Sequence, residues 1–256
     1  MNIYKFIYHL VRARISNLFD FKKEFECPFC SRQFTRFVPG GLSIPILKEK
    51  QVVGGGYRLH HRCPFCYSQD RERLVYLYLK KRTNIFKLKV RLLHVAPEAK
   101  LHQILSVQPN ISYLSVDLSS KLANVKVDIT QMSFKENSFD VIICNHVLEH
   151  IQDDRKAMHE LYRILNPKGW AILQVPISNL LETTYENSSI KKPEEKEKEF
   201  GQRDHVRIYG KDYTYRLEAA GFKVDVFNLV KEFDKSSAYR FGISKDENIY
   251  RCSKES

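Results

Sequence analysis

The chain has 256 residues and carries 42 Lys+Arg against 30 Asp+Glu, a net charge of +12. Hydrophobic residues make up 43% and aromatics 12%, enough apolar material for real cores, so chain-wide disorder is excluded. The length accommodates one large domain or two smaller ones. The longest apolar runs are strand-sized, which excludes a membrane-spanning helix. Lys5, Arg12 and Arg14 run through the first twenty residues, and no small-residue cleavage site follows, so no signal peptide is expected.

A basic balance fits nucleic acid, an anionic membrane surface or an acidic substrate. The excess is local. Residues 1–85 hold 16 Lys+Arg and 6 Asp+Glu, whereas residues 86–256 hold 26 and 24. Basicity therefore speaks to what the N-terminal third docks on.

Within segment 1–24, residues 2–19 place Ile3, Phe6, Ile7, Leu10, Val11, Ile15, Leu18 and Phe19 at helical spacing. With its basic residues this reads as an amphipathic basic helix. It either packs on the rest of the protein or lies on an anionic membrane surface.

Residues 25–70 contain two identical tetrads, Cys27-Pro28-Phe29-Cys30 and Cys63-Pro64-Phe65-Cys66, separated by 32 residues. Two such knuckles offer four thiolates to one tetrahedral zinc, and a redox dithiol would need only one pair. With all four positions filled by sulfur, the zinc is structural and staples a zinc-ribbon-like module whose own core is thin. Gly54-Gly55-Gly56 supplies a turn between the knuckles, and His60 and His61, just before the second, could also ligate; two disulfides or free thiols are the alternative to zinc. Cys144 and Cys252 read as ordinary reduced cysteines of a cytoplasmic protein. Residues 71–87 read as a linking helix, whose basic end (Lys80, Lys81, Arg82) suits the helix dipole.

From residue 88 to 256 strands and helices alternate. Strands are expected at 90–95, 113–116 (ending at Asp117), 125–127 (ending at Asp128), 139–144, 170–175, 224–229 and 248–252. Helices are expected at 101–105, from Asp153 or Asp154 to Leu165, and at 212–220. Asn166-Pro167-Lys168-Gly169 and Gly221 act as stops. The pattern implies a doubly wound α/β sheet, with ligands outside the carboxyl ends of the strands. Residues 182–204 interrupt it with the charge run 191–199, either a solvated loop or an active-site lid.

Asp128-Ile129-Thr130, the run from Ser138 through Asn145-His146-Val147-Leu148-Glu149-His150-Ile151, and Glu160 through Asn166-Pro167-Lys168-Gly169-Trp170 closely resemble class I S-adenosylmethionine-dependent methyltransferases of the type 11 group. The resemblance implies a seven-stranded, Rossmann-like sheet that ends in an antiparallel hairpin. It implies that Asp117 accepts the ribose hydroxyls of the cofactor, that Asp128 meets the adenine amino group with Ile129 beside the ring, and that Asn145 and His146 line the methyl group and substrate.

One turn departs from the family. The glycine-rich first βα turn is replaced by His94-Val95-Ala96-Pro97-Glu98-Ala99-Lys100, with Ala96, Glu98 and Lys100 at the glycine places. Either the turn is rebuilt around Pro97, with Glu98 pairing the cofactor's amino group, or cofactor binding has decayed.

Methyl transfer is an in-line displacement in which alignment supplies much of the rate, and an oxygen nucleophile also needs a base. His205 is the leading candidate and His146 the second, with Arg203, Arg207 and Tyr209 available for an anionic or sugar-like substrate. Three functions are open. The first is O-methylation of a small molecule or a glycan or surface-polysaccharide precursor, in the cytoplasm or at the inner membrane surface. The second is RNA methylation guided by the zinc module, with Phe29, Phe34, Phe37 and Phe65 available for stacking unless they form the module's core. The third is a non-catalytic zinc-dependent binding module. The missing Asn/Asp-Pro-Pro-Tyr signature after the fourth strand ranks RNA second.

Overall fold

The structure is a computed structural model that describes residues 3–19, 23–232 and 235–255. Asn2, where the N-terminal helix is expected to begin, and the side chains of Leu18 and Phe19 lie outside the described residues.

The alternating region forms one seven-stranded sheet. Its strands are β1 (Val90–Val95), β2 (Ile111–Asp117), β3 (Val125–Lys126), β4 (Phe139–Asn145), β5 (Leu165–Gln174), β6 (Lys223–Phe227) and β7 (Ile249–Ser253), in spatial order β6-β7-β5-β4-β1-β2-β3. β1 to β5 pair in parallel, and β7 runs antiparallel between β5 and β6. The strand order reverses between β1 and β4, which places a ligand-binding crevice at their carboxyl ends.

Period-two alternation divides the sheet's side chains between two cores. Leu93, Val95, Ile142, Cys144, Ala171 and Leu173 face one side, against Ala157, Met158, Leu161 and Ile164 of helix Asp154–Ile164 and against Tyr213 and Leu217. Leu92, Val141, Ile143 and Ile172 face the other, against Leu101 and Leu105. Asp153 caps its helix by accepting from the Lys156 amide at 3.0 Å.

The 71–87 segment is more than a connector. Helix Asp70–Arg82 buries Leu74, Val75, Leu77, Tyr78 and Leu79 in the second core, so it is a layer of the sheet domain. Gln69 and Glu72 form a capping box, and the other Glu72 oxygen accepts from the Lys100 amide at 2.8 Å.

Helix Ile3–Phe19 lies on the four-cysteine module. Ala13 is buried, Arg14 Nε donates to the Pro64 carbonyl at 3.0 Å, and Phe6 meets Tyr67. The module in turn is built into the sheet domain. Val52–Val53 pairs antiparallel with Ile177–Ser178, just beyond β5. Arg73, fully buried, donates to the carbonyls of His60, His61 and Ser68 in the module and of Phe241 and Gly242 near the other end of the chain. The insertion is partly ordered: Tyr185–Glu186 pairs with Arg207–Ile208, and the charge run forms helix Pro193–Phe200, ended by Gly201 at φ +87°.

Candidate functional site

The two knuckles fold alike. The Ser31 amide donates to the Cys27 carbonyl and the Tyr67 amide to the Cys63 carbonyl, and both donors are left-handed, at φ 55° and 64°. All four sulfurs of Cys27, Cys30, Cys63 and Cys66 lie within 4.8 Å of one another, so the cluster can hold a metal ion. Cys27–Cys66 and Cys30–Cys63 are separated by 3.5 and 3.8 Å. His60 instead packs on Phe25 and Phe37, and His61 bonds Gln69 at 3.3 Å. Phe34 and Phe37 are buried in the module's core, and Phe29 and Phe65 pack against it. Phe29 also stacks on Tyr76 with centroids 4.5 Å apart. These rings are therefore engaged with one another, not displayed for bases.

At the switch point the first βα turn is rebuilt. Ala96 adopts φ +47°, a left-handed backbone that an alanine takes at a cost and that glycine takes freely. His94 Nε2 meets Glu98 Oε2 at 3.0 Å, and His94 Nδ1 meets the Tyr113 hydroxyl at 2.9 Å. Burial opposes ionisation of Glu98, but the His94 contact and nearby Arg71 outweigh it and hold the carboxyl below its usual range.

Glu98 Oε1 and the Asn145 amide, itself 3% exposed, are buried beside each other, with no well-formed hydrogen bond to either among the described residues. Orphaned polar atoms of this kind call for a ligand. A carboxylate and an amide at the ends of β1 and β4 suit the ammonium and carboxylate of an amino acid, so the residues present fit S-adenosylmethionine.

Asp117 ends β2 as expected, and its Oδ1 accepts from the amides of Ser119 and Ser120, each at 2.6 Å. Asp128 Oδ1 accepts from the Thr130 amide and hydroxyl, each at 2.8 Å, in an exposed turn. Ile129 is buried in the first core, 4% exposed.

A cavity of about 240 Å³ lies at the adjoining face, walled by both parts of the chain. Gly54, Gly56, Arg58, His61, Gln69 and Arg71 come from the N-terminal third, and His146, Glu149, His150, Phe200, Gly201 and His205 from the sheet domain. Gly54, at φ +77°, lies so close that a Cβ there would stand 3.3 Å from His146 Cε1. His146 is itself left-handed, at φ +54°.

Glu149 Oε1 meets His146 Nδ1 at 3.4 Å. Burial opposes ionisation of Glu149, yet the His146 hydrogen bond and the nearby His150 and His205 rings hold its carboxyl down at about 2. Burial lowers His205 against the pull of Glu149.

Three expected substrate residues do not offer free groups to this cavity. Arg203 points to Glu194 and Glu197 on the exposed insertion helix. Arg207 reaches the cavity wall, but its guanidinium binds the carbonyls of Leu148, Ile151 and Gln152 and the Glu186 carboxylate. The Tyr209 hydroxyl is buried on Asp154 Oδ2 at 2.6 Å. The substrate roles of Arg207 and Tyr209 thus give way to structural ones, because a buried guanidinium or phenol must be satisfied where it sits. Arg58 and Arg71 also line the cavity; Arg58 is spent on Asp70 and the Gly56 carbonyl, whereas Arg71 Nε has no partner among the described residues. Glu149 and His150 also join the site; their adjacency, one strand end from His146, was the signal available in the sequence.

The reversed strand order, the antiparallel β7 and the ligand-seeking groups at the ends of β1 and β4 define a methyltransferase-type α/β domain. Comparison agrees. Residues 95–173 match the family described as "Methyltransferase domain". The chain carries a class I S-adenosylmethionine-dependent methyltransferase domain of this family, and the family implies S-adenosylmethionine as cofactor.

An uncharacterised protein of Methanocaldococcus jannaschii is 39% identical over 72 residues, a match that spans 26% of this chain and 32% of that relative's length. Among solved structures, the [4+2]-cyclase SpnF is 15% identical with a TM-score of 0.52, covering 84% of this chain and 99% of its own. A SAM-dependent methyltransferase of Archaeoglobus fulgidus is 14% identical with a TM-score of 0.46, covering 72% and 93%. SpnF shares the fold, and its cyclase activity illustrates that fold alone does not fix the reaction. No helix among the described residues is long and apolar enough to cross a membrane.

Proposed function

We propose that the protein methylates an oxygen of a small molecule or glycan precursor bound in the 240 Å³ cavity. The observation that carries this reading is the gathering of His146, Glu149, His150 and His205 at the cavity beside Asn145. An oxygen acceptor of high pKa needs such acid–base groups. S-adenosylmethionine, when bound, supplies the activated methyl group. Glu98 would take its ammonium, Ala96 would let the turn pass close to it, and Asp117 would take the ribose hydroxyls. Asp128, with the backbone at Ile129, would border the adenine. The acceptor's proton passes to His205 or His146. Arg71 at the cavity wall favours an anionic or hydroxyl-rich acceptor.

A labelled-methyl assay on fractionated extract tests the acceptor class. Label is expected in the lipid-linked or small-molecule pool, and label confined to RNA would reject this class. Calorimetry tests the cofactor, with binding expected to weaken at least tenfold in Asp117→Ala. If neither chain bound S-adenosylmethionine, the non-catalytic alternative would stand.

We infer that the metal of the four-cysteine cluster is zinc. A tetrahedron with Zn–S distances of about 2.3 Å separates its sulfurs by about 3.8 Å, close to the separations observed. A zinc thiolate site and free Cys144 and Cys252 support a reducing compartment such as the cytoplasm.

The N-terminal helix supports attachment to the inner membrane surface. Ile3, Tyr4, Ile7, Tyr8, Val11 and Ile15 are exposed along it, with Lys5 and Arg12 exposed beside them. Cosedimentation with vesicles rich in phosphatidylglycerol is expected, and it should be lost in phosphatidylcholine or in Ile7→Glu/Val11→Glu. Equal binding by that variant removes the membrane role.

A further inference from the structure

We propose that Glu149, His150 and His205 hold a divalent metal ion at the cavity, a second metal site distinct from the four-cysteine cluster. One ligand atom from each of these residues lies within 4.8 Å of the others. Their remaining polar atoms are already engaged in ways that aim the ligand atoms. His205 Nδ1 lies 3.3 Å from the Phe200 carbonyl. A carbonyl only accepts, so Nδ1 carries the proton and Nε2 keeps its lone pair. His150 Nδ1 lies 3.1 Å from Asp204 Oδ2, which leaves its Nε2 in the same state. Carbonyl and carboxylate partners on the far nitrogen are the usual supports of metal-binding histidines.

Glu149 is 2% exposed and uses Oε1 on His146, while its Oε2 is buried without a hydrogen-bond partner among the described residues. His146 Nε2, on a side chain 5% exposed, is likewise unpartnered. Two buried polar atoms thus stand idle at a cavity lined by both residues. Leaving Glu149 Oε2 so is costly, and a cation held there answers it, while His146 Nε2 is left for the acceptor.

The donor set is two imidazoles and one carboxylate, which leaves coordination positions open and suits Mn²⁺, Fe²⁺, Co²⁺ or Zn²⁺. The four-cysteine cluster, all thiolate, selects zinc instead. The ion's role rests on the oxygen-methylation reading; its binding does not. An acceptor hydroxyl reaching the ion would lose its proton more readily. With His205 committed as a ligand, His146 Nε2 takes that proton. The oxygen lone pair then bonds to the methyl carbon, and the C–S pair departs to sulfur, giving S-adenosylhomocysteine.

The test is a titration with MnCl₂ of the full chain brought to one zinc per chain, so that only the four-cysteine cluster is filled, following free Mn²⁺ by electron paramagnetic resonance. One Mn²⁺ per chain is expected to bind. Binding should weaken at least about 100-fold in His150→Ala/His205→Ala and about tenfold in Asp204→Asn. Asp204 has a side chain 66% exposed, so its variant should keep the fold if the double variant does not. No Mn²⁺ bound by the wild-type chain, or unchanged affinity in both variants, overturns the site. Calorimetry with S-adenosylmethionine on the same samples, without Mn²⁺, separates failure of the metal site from failure of the methyltransferase reading.

Discussion

Withdrawing the metal from the four-cysteine cluster lowers the melting temperature of the whole chain by on the order of 10 °C. The module's own core is five buried residues, among them two of the cysteines, and cannot hold its fold without the ion. Its loss spreads because the module is a wall of the sheet domain. Arg73 stands fully buried, its desolvation offset first by Asp70 and then by the negative charge of Cys27, Cys63 and Cys66. A zinc tetrathiolate carries two net negative charges, whereas four protonated thiols carry none. Removing the ion therefore leaves a buried guanidinium with less compensation and loosens both walls of the cavity. Scanning calorimetry with and without a strong chelator measures this, and Cys63→Ser should reproduce the chelated trace. A second, unshifted transition for residues 88–256 would show that the domain stands without its module.

Arg73→Met destabilises the chain by about 3–5 kcal/mol, or roughly 6–15 °C in melting temperature. The side chain donates to five carbonyls, at 2.9 Å to Phe241, 2.8 Å to Ser68, 3.4 Å to His61, 2.5 Å to His60 and 3.2 Å to Gly242. It also lies over the Phe37 ring, 4.1 Å from the centroid. Methionine fills much of the volume but leaves these acceptors buried and unpaired. Arg73→Lys should rescue little, because a point charge cannot fork to acceptors on both the module and the 241–242 turn. Thermal and urea unfolding of the three chains decide the matter; a loss within about 1 kcal/mol for methionine would mean that water or backbone shifts satisfy the carbonyls.

Local features were readable because their causes are local. The run Phe139–Asn145 reads as a buried strand because apolar side chains serve both faces, and it is one. Gly221 stops a helix because it takes φ +105°, which other residues resist. The spacing of Cys27, Cys30, Cys63 and Cys66 announced a common ligand, and their sulfurs converge.

Harder to read were residues whose partners are distant in sequence. Arg207 and Tyr209 looked like substrate groups because they are polar and close to His205. Their partners, Leu148, Ile151 and Asp154, lie more than fifty residues away. Arg58 and Arg71 read as part of the general basicity of the first 85 residues, yet pairing of Val52–Val53 with Ile177–Ser178 carries that segment to the cavity. Helix Asp70–Arg82 read as a connector because its apolar face has no visible partner until the sheet exists.

By itself, then, the sequence determined the strand and helix pattern, the four-sulfur cluster, the acidic end of β2 and the methyltransferase class, all carried by periodicity and spacing along a few dozen residues. Tertiary structure alone decided which polar groups face the cavity and which are spent inside it. A buried donor or acceptor must be satisfied, and whether carbonyls, a carboxylate or a ligand satisfy it depends on chain segments brought together only by folding.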